Sequence, residues 1–312
     1  MKVGGSRLVL CFLCVLLWAG GGGSGRAESL TIVTYNLENY VVAGRRVEDH
    51  YLPAYPKPEA AKAALRTVIG ALNADVLALQ EMGPGPYLEE LRRDLRAEGI
   101  DYPHAAEAEA ADADRHIAVL SRLPFRRVVT HADLEFPYLG GRERVKRGLL
   151  EAVVATPRGE LTLFVVHLKS RLTDRPEDPG SARRRAGEAR VIRDRILQRF
   201  PDPGRARFLI AGDCNDAADS PPLRLLSTRA GSLVASILPA VDARGDSWTF
   251  ILRREGSYLR LDYFLASPGL LPAVAGGGSV YDGPGVREAS DHRPLVVRLD
   301  LDRLPADGVA PP

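Results

Sequence analysis

The chain's apolar residues fall into two kinds of block, short β-branched runs and longer stretches with helical spacing. Leu30 to Leu37 (LTIVTYNL) is of the first kind and predicts a buried opening strand. A proline-containing loop from Pro53 to Pro58 leads to Glu59–Leu72, where Ala60, Ala63, Ala64, Val68 and Leu72 repeat at helical spacing. Asp75 to Gln80 (DVLALQ) reads as a second buried strand. Tyr87 to Ala97 reads as a helix placed after the breaker Gly83-Pro84-Gly85-Pro86. Four strands are then expected: His116–Ser121, Val128–His131, Leu149–Thr156 and Leu161–His167. The last two form a hairpin through the turn Thr156-Pro157-Arg158-Gly159. Ser181–Phe200 is the longest predicted helix, striped by Ala182, Ala186, Ala189, Ile192, Ile196 and Leu197 and stopped by Pro201. Phe208–Ala211, Trp248–Leu252, Leu261–Ala266 and Pro294–Leu299 complete the strands. Helix-strand units followed by strand-rich runs predict an α/β fold with two sheets packed face to face and helices outside.

Several of these apolar strands end abruptly in a carboxylate, amide or imidazole: Asn36, Glu81, His167, Asp213, Asn215 and Asp262. Strand ends that share one rim are where α/β folds build sites. With Asp291 and His292 the set offers oxygen-rich ligation, a base and hydrogen-bond donors, and no Cys/His cluster of zinc type. Hydrolysis of a phosphate ester needs those three things, a hard cation to neutralise charge, a base for water and donors for the transition state. Oxygen ligands favour Mg²⁺ or Mn²⁺ as the cofactor.

The N-terminus and the charge pattern qualify this picture. Lys2 and Arg7 precede an apolar run from Leu8 to Trp18, and small residues in Gly25-Arg26-Ala27 suit a signal peptidase. Residues 1–27 are therefore read as a signal peptide, 28–304 as one catalytic domain and 305–312 as a flexible tail, which makes the protein secreted or periplasmic. The apolar run is too short to span a bilayer, which takes about 20 residues, so the mature chain is expected to carry no integral membrane segment. Cys11 and Cys14 leave with the signal, so the remaining Cys214 excludes a disulfide within the mature chain and should be a packing residue. Loss of Lys2, Arg7 and Arg26 leaves 39 basic against 40 acidic residues, so overall charge does not argue for a polyanionic partner. Lys169 to Arg207 nevertheless holds 12 basic and 6 acidic residues. That stretch either guides a phosphate-rich ligand or is a helix face of Arg/Glu/Asp pairs.

Five ordered motifs, Thr34-Tyr35-Asn36-Leu37-Glu38, Leu79-Gln80-Glu81, His167-Leu168-Lys169-Ser170, Gly212-Asp213-Cys214-Asn215 and Ser290-Asp291-His292, carry a resemblance. Together with Leu261-Asp262-Tyr263 they resemble the endonuclease/exonuclease/phosphatase superfamily, which includes deoxyribonucleases, abasic-site endonucleases, inositol polyphosphate phosphatases and neutral sphingomyelinases. The resemblance implies a four-layered α/β sandwich of two mixed β-sheets over Leu30 to about Leu301. It also implies Glu81 as principal metal ligand, Asn36 beside it directly or through water, and Asp291 as a further ligand. Asp213 would be the base, Asn215 would hold a phosphate oxygen, and His292, fixed by Asp262, would donate to the phosphate from one side. His167 would do so from the other, with Asp112, Asp114 or Glu151 as its carboxylate partner, and Lys169 would add charge near the phosphate. Arg142, Arg144, Lys146 and Arg147 offer one further substrate contact or a solvated loop, while Ser170 and Ser290 would only support their neighbours. The Leu-Arg-Leu-Asp-Tyr-Phe run at Asp262 departs from the Trp-Cys-Asp-Arg signature of phosphoinositide enzymes. A nuclease acting on nucleic acid is thus the first expectation. A phospholipid-headgroup or small-ester phosphoesterase is the alternative, and an inactive binding module the reading from a different class.

Overall fold

The computed structural model describes Met1 and residues 29–47 and 50–304. Apart from Met1, the predicted signal peptide lies outside the described residues, as does the predicted tail. In chain order the first half contains β1 (Ser29–Tyr40), β2 (Ala43–Val47), β3 (His50–Tyr55), α1 (Glu59–Leu72), β4 (Val76–Met82), α2 (Gly85–Ala97), β5 (His104–Ala108), β6 (His116–Ser121), β7 (Phe125–His131), β8 (Glu135–Tyr138), β9 (Gly141–Arg144) and β10 (Leu149–Thr156). The second half continues with β11 (Gly159–His167), α3 (Ala182–Arg199), β12 (Phe208–Asp213) and α4 (Pro221–Ser227). The short strands β13 (Thr228–Arg229), β14 (Ser232–Leu233), β15 (Ser236–Ile237) and β16 (Ala240–Val241) follow. The chain ends through β17 (Phe250–Leu252), β18 (Ser257–Leu259), β19 (Asp262–Ala266), β20 (Val274–Val280), α5 (Val286–Ala289) and β21 (Leu295–Asp300).

Two mixed sheets dominate, in the orders β16-β20-β21-β1-β4-β6-β5 and β15-β19-β12-β11-β10-β7. Side chains alternate faces along a strand, and that period builds the four layers. Leu30 and Ile32 of β1, Val76 and Ala78 of β4, Leu163 and Val165 of β11 and Leu209 and Ala211 of β12 meet between the sheets. Their odd-numbered neighbours Val33, Tyr35, Leu77 and Leu79 face outward onto α1 and α2. Phe164, Val166, Phe208 and Ile210 pack on α3. Among the described residues no helix is long and apolar enough to cross a membrane.

The predicted α1 and β10–β11 hairpin match, with Thr156 paired to Gly159 across the turn. Three expectations are corrected. The loop read at Pro53–Pro58 begins inside β3, where Leu52 pairs with Arg45 and Tyr55 with Ala43; Pro53 falls at the register shift between them, where a missing N–H costs no ladder bond. Ala182 is exposed rather than part of the α3 stripe, and α3 buries Arg184, Arg185, Glu188 and Arg193 beside Ala189, Ile192 and Ile196. The charged side chains there meet partners: Arg184 pairs with Glu143 and Asp174, and Arg185 with Asp216. The sequence pattern does not predict strands β5 and β20, and the glycine-rich β20 contains a register shift against β21 between Val274 and Gly278.

One glycine is dictated by the sheet. Gly212 sits at φ 145° opposite Val166 in the parallel β11–β12 pair, and a Cβ there would lie 1.9 Å from the Val166 carbonyl oxygen. Gly212→Ala should therefore cost about 2–4 kcal/mol of stability through backbone displacement. Urea unfolding of the two proteins measures it, and an unchanged midpoint would contradict this account.

Candidate functional site

The same alternation that fills the core delivers the polar cluster. Asn36, His167, Asp213 and Asp262 continue the inward-facing rows of β1, β11, β12 and β19, beyond the point where apolar side chains stop. Register aligns them: His167 is paired with Asp213, and Asp213 with Asp262. Glu81 reaches the cleft by a different device. Strict alternation would send it to the outer face with Leu77 and Leu79, but the β4 register shifts between Gln80 and Met82 and Glu81 adopts φ 58°. Such a bulge re-aims a side chain. Its Oε1 lies 3.9 Å from His167 Nε2 and its Oε2 accepts from the Asn39 N–H at 2.8 Å.

Asp213 is the hub. Its Oδ2 accepts from Asn36 Nδ2 at 3.1 Å and Asn215 Nδ2 at 3.2 Å, and lies 3.6 Å from His167 Nε2 and 3.9 Å from His292 Nε2. Its Oδ1 accepts the Asn215 N–H at 2.8 Å. Asn215, at φ 53°, also donates to the Leu168 carbonyl at 3.0 Å, while the Cys214 side chain turns away into the α3 core as expected. On the far side His292 Nδ1 meets Asp262 Oδ2 at 2.8 Å. Ser290 ties the end of β1 to the loop that carries His292: its hydroxyl donates to the Asn36 carbonyl at 2.8 Å and accepts the His292 N–H at 3.0 Å.

Burial divides the two imidazoles. At His292 burial opposes the charged ring, but Asp262, Asp213 and Asp291 outweigh it and hold the pKa well above the ordinary value. At His167 burial and the positive charge of Arg147 and His292 act together and push it well below. Neighbouring titratable groups driven apart in this way mark acid–base chemistry. Asp213 is raised to about 7, chiefly by burial and then by Asp262.

A second, acidic side of the cleft suits a hard cation. Asp291 is raised to about 6, first by burial, with repulsion from Glu38 and Glu81 adding to it. Carboxylates that repel one another at close quarters, with an amide at Asn36, form the donor set that Mg²⁺ or Mn²⁺ prefers. Asp213, Asp262 and His292 also bring ligand atoms within 4.8 Å of one another. In that trio, however, His292 Nδ1 and Asp262 Oδ2 are bonded to each other and only Asp262 Oδ1 lacks a hydrogen-bond partner, whereas Glu81 and Asp291 bring two carboxylates, so the acidic side is the better fit.

Three neighbours were not singled out in the sequence. Glu38 belongs to this acidic group, and the buried Lys57 donates to the Glu38 carbonyl at 3.2 Å, its own pKa lowered to about 8 by burial. Thr249 is fully buried, and its hydroxyl oxygen accepts from the Leu261 and Asp262 N–H groups at 3.0 and 3.1 Å. Glu38 closes the first motif without a role assigned to it there, and no local signal marks Lys57 or Thr249, because each acts through a partner more than ten residues away.

Other expectations are redrawn. None of the three carboxylates named as partners of His167 bonds to it: Glu151 bonds His131 at 3.0 Å, Asp112 lies 3.1 Å from Arg147, and Asp112 also accepts the Asp114 N–H. Nδ1 of His167 has no hydrogen-bond partner among the described residues. Lys169 adjoins His167, yet its ammonium is turned into its own loop, donating to the Ser170 carbonyl and hydroxyl and to the Leu172 carbonyl. Of the basic patch, Arg142 and Arg144 pair with Glu135 at the surface. Arg147 alone is buried toward His167, with Nη1 lacking a hydrogen-bond partner.

This fold and cleft are those of a known class, and the chain belongs to the Endonuclease/Exonuclease/phosphatase family, whose model matches residues 33–292. Among solved structures it is similar to a humanized D. rerio TDP2 bearing 14 mutations, at 20% identity and TM-score 0.60, covering 87% of this chain and 98% of that one. The human Nocturnin catalytic domain with a bound sulfate anion matches at 15% identity and TM-score 0.60, covering 87% and 94%. Sphingomyelinase C from Streptomyces griseocarneus matches at 16% and 0.58, covering 87% and 99%. No curated protein matches the chain.

Proposed function

We propose that the protein is an exported, divalent-metal-dependent phosphodiesterase that cleaves nucleic acid. The observation that carries the hydrolytic part is the Asp213 carboxylate set between two imidazoles of opposite protonation preference and two amide donors. Asp213 takes the proton of the attacking water, Asn215 transfers its Nδ2 donation from Asp213 to a phosphate oxygen, neutral His167 donates to another, and charged His292, oriented by Asp262, donates from the opposite side. Glu81, Asp291 and Asn36 would hold the cation, with Glu38 alongside. When bound, it supplies neutralisation of phosphate charge. The presence of Glu81, Asp213 and Asn215 in this arrangement speaks against an inactive binding module.

Nucleic acid is preferred because the positive charge of Arg147 and Arg115 is felt at His167 and that of Arg253 at Asp291. The α3 arginines no longer support that preference, since many are spent on carboxylates within the fold. A lipid-headgroup reading keeps some standing from Leu172, 82% exposed a few residues after His167, and from Tyr51, 69% exposed on the β2–β3 hairpin. Export rests on the predicted signal peptide.

Chelation should abolish hydrolysis of every substrate and Mg²⁺ or Mn²⁺ should restore it. The panel is plasmid DNA, RNA, a phosphomonoester and sphingomyelin. Full activity after exhaustive removal of divalent ions would overturn the mechanism, and sphingomyelin turnover without cleavage of nucleic acid would install the second reading. Salt gives a further test. Cleavage of nucleic acid at subsaturating substrate should fall steeply as salt rises, while a small ester changes little, because only the polymer releases many counterions. Equal salt sensitivity would remove the polyanion from the proposal.

A further inference from the structure

Next to the reactive cluster lies a cavity of about 150 Å³ whose walls are Trp248, Ile251 and Val286, with Arg253 and Arg287 at its edge and Asp291 on the side shared with the catalytic loop. From this we infer a binding subsite for one flat, uncharged ring, the nucleobase attached to the phosphate under attack; the choice of a nucleobase rests on the nucleic-acid reading above.

Four features point to that occupant. The first is size: an apolar cavity of about 150 Å³ holds a benzene-sized ring. A lipid's acyl chains would need far more room. The second is construction, since the walls are held before any ligand arrives. The Ile251 N–H donates to the Asp291 carbonyl at 2.9 Å, and Phe250 bridges His292 in antiparallel fashion. Arg253 Nη2 donates to the Arg287 carbonyl at 2.8 Å and the Ser290 carbonyl at 3.3 Å. The β17–β18 hairpin is thereby clasped onto the loop that carries His292, so a ring in the cavity is fixed relative to the reacting phosphate. Preformed walls lower the ordering cost of binding.

The third feature is the state of Trp248. The Arg293 guanidinium covers its ring at 3.4 Å and Tyr258 lies 4.8 Å away, so the indole is immobilised as a wall. The fourth is charge. Arg293 is paired with Asp242 and Asp282, and Arg253 and Arg287 still outnumber Asp291 around the cavity, which disfavours a cationic headgroup such as a quaternary ammonium. An uncharged ring with carbonyl acceptors meets no such penalty, and a guanidinium is a suitable donor to its edge. The neighbouring phosphate of a polynucleotide would also gain from the same arginines.

The test uses two methyl phosphodiesters that differ only in the base, methyl thymidine monophosphate and the corresponding methyl deoxyribose monophosphate, with hydrolysis followed by phosphorus NMR on the full chain with Mg²⁺. Burial of one ring should favour the thymidine ester by about 10- to 100-fold in kcat/KM. Ile251→Trp, which fills the cavity from a half-buried position, should bring that ratio close to one. A second readout needs no turnover: in saturation-transfer NMR with thymidine itself, the base protons should receive more saturation than the sugar protons, and Ile251→Trp should erase the difference. Equal rates for the two esters, or a ratio that survives Ile251→Trp, would overturn the subsite while leaving the phosphodiesterase reading intact. Absence of any hydrolysis together with the thymidine signal would instead sink the catalytic reading and uphold the subsite.

Discussion

Asp213→Asn should lower turnover by about 10² to 10⁴ while leaving the fold and substrate binding in place. The geometry explains why the loss should be confined to chemistry. The hub's neighbours are donors, and an amide oxygen placed at Oδ2 keeps the bonds from Asn36 Nδ2 and Asn215 Nδ2, giving up only the one that Oδ1 accepts from the Asn215 N–H. What disappears is the capacity to take a proton. Single-turnover kinetics on purified protein, with a denaturation curve alongside, separates the two effects. A variant that retains more than about a tenth of the rate would show that the base lies elsewhere. A variant that loses its folded state would instead make Asp213 a structural group.

How far the sequence revealed this site depended on whether a residue acts along its own strand or across the molecule. Asn36, His167, Asp213 and Asp262 each terminate an apolar run, and the period of two places them on the core-facing row without tertiary information. Glu81 was recognisable as a strand-end carboxylate, but its inward turn depends on a bulge that no residue pattern announces. Lys57 and Thr249 take part only through contacts formed after folding. The same limit governs α3. Its arginines look like a solvated basic face until Glu143, Asp174 and Asp216 arrive from distant segments to pair with them. Glu151, a candidate partner for His167, faces the α3 side and bonds His131. The large sheets were legible for a related reason: their strands are long and apolar. The two-residue strands β13 to β16 are set by neighbours rather than by their own composition.

The Asp262–His292 pair should behave as one functional unit. Asp262→Asn and His292→Ala should each cut the rate substantially, and the double variant should be little worse than His292→Ala alone, because a positioning carboxylate has nothing left to orient. The bond between Asp262 Oδ2 and His292 Nδ1, with Asp262 buried at the start of β19, is the basis for that expectation. The pH profile gives an independent readout with a definite sign. Among the raising influences on His292, Asp262 is the largest, so removing its charge lowers the imidazole pKa and moves the limb that requires charged His292 to lower pH. After burial, Asp262 is also the largest cause that raises Asp213; without it the base ionises at lower pH, and the acidic limb moves the same way. In Asp262→Asn the whole bell should therefore slide downward, which simple destabilisation would not produce. Losses that multiply as independent defects, with an unmoved profile, would show that Asp262 does not work through His292.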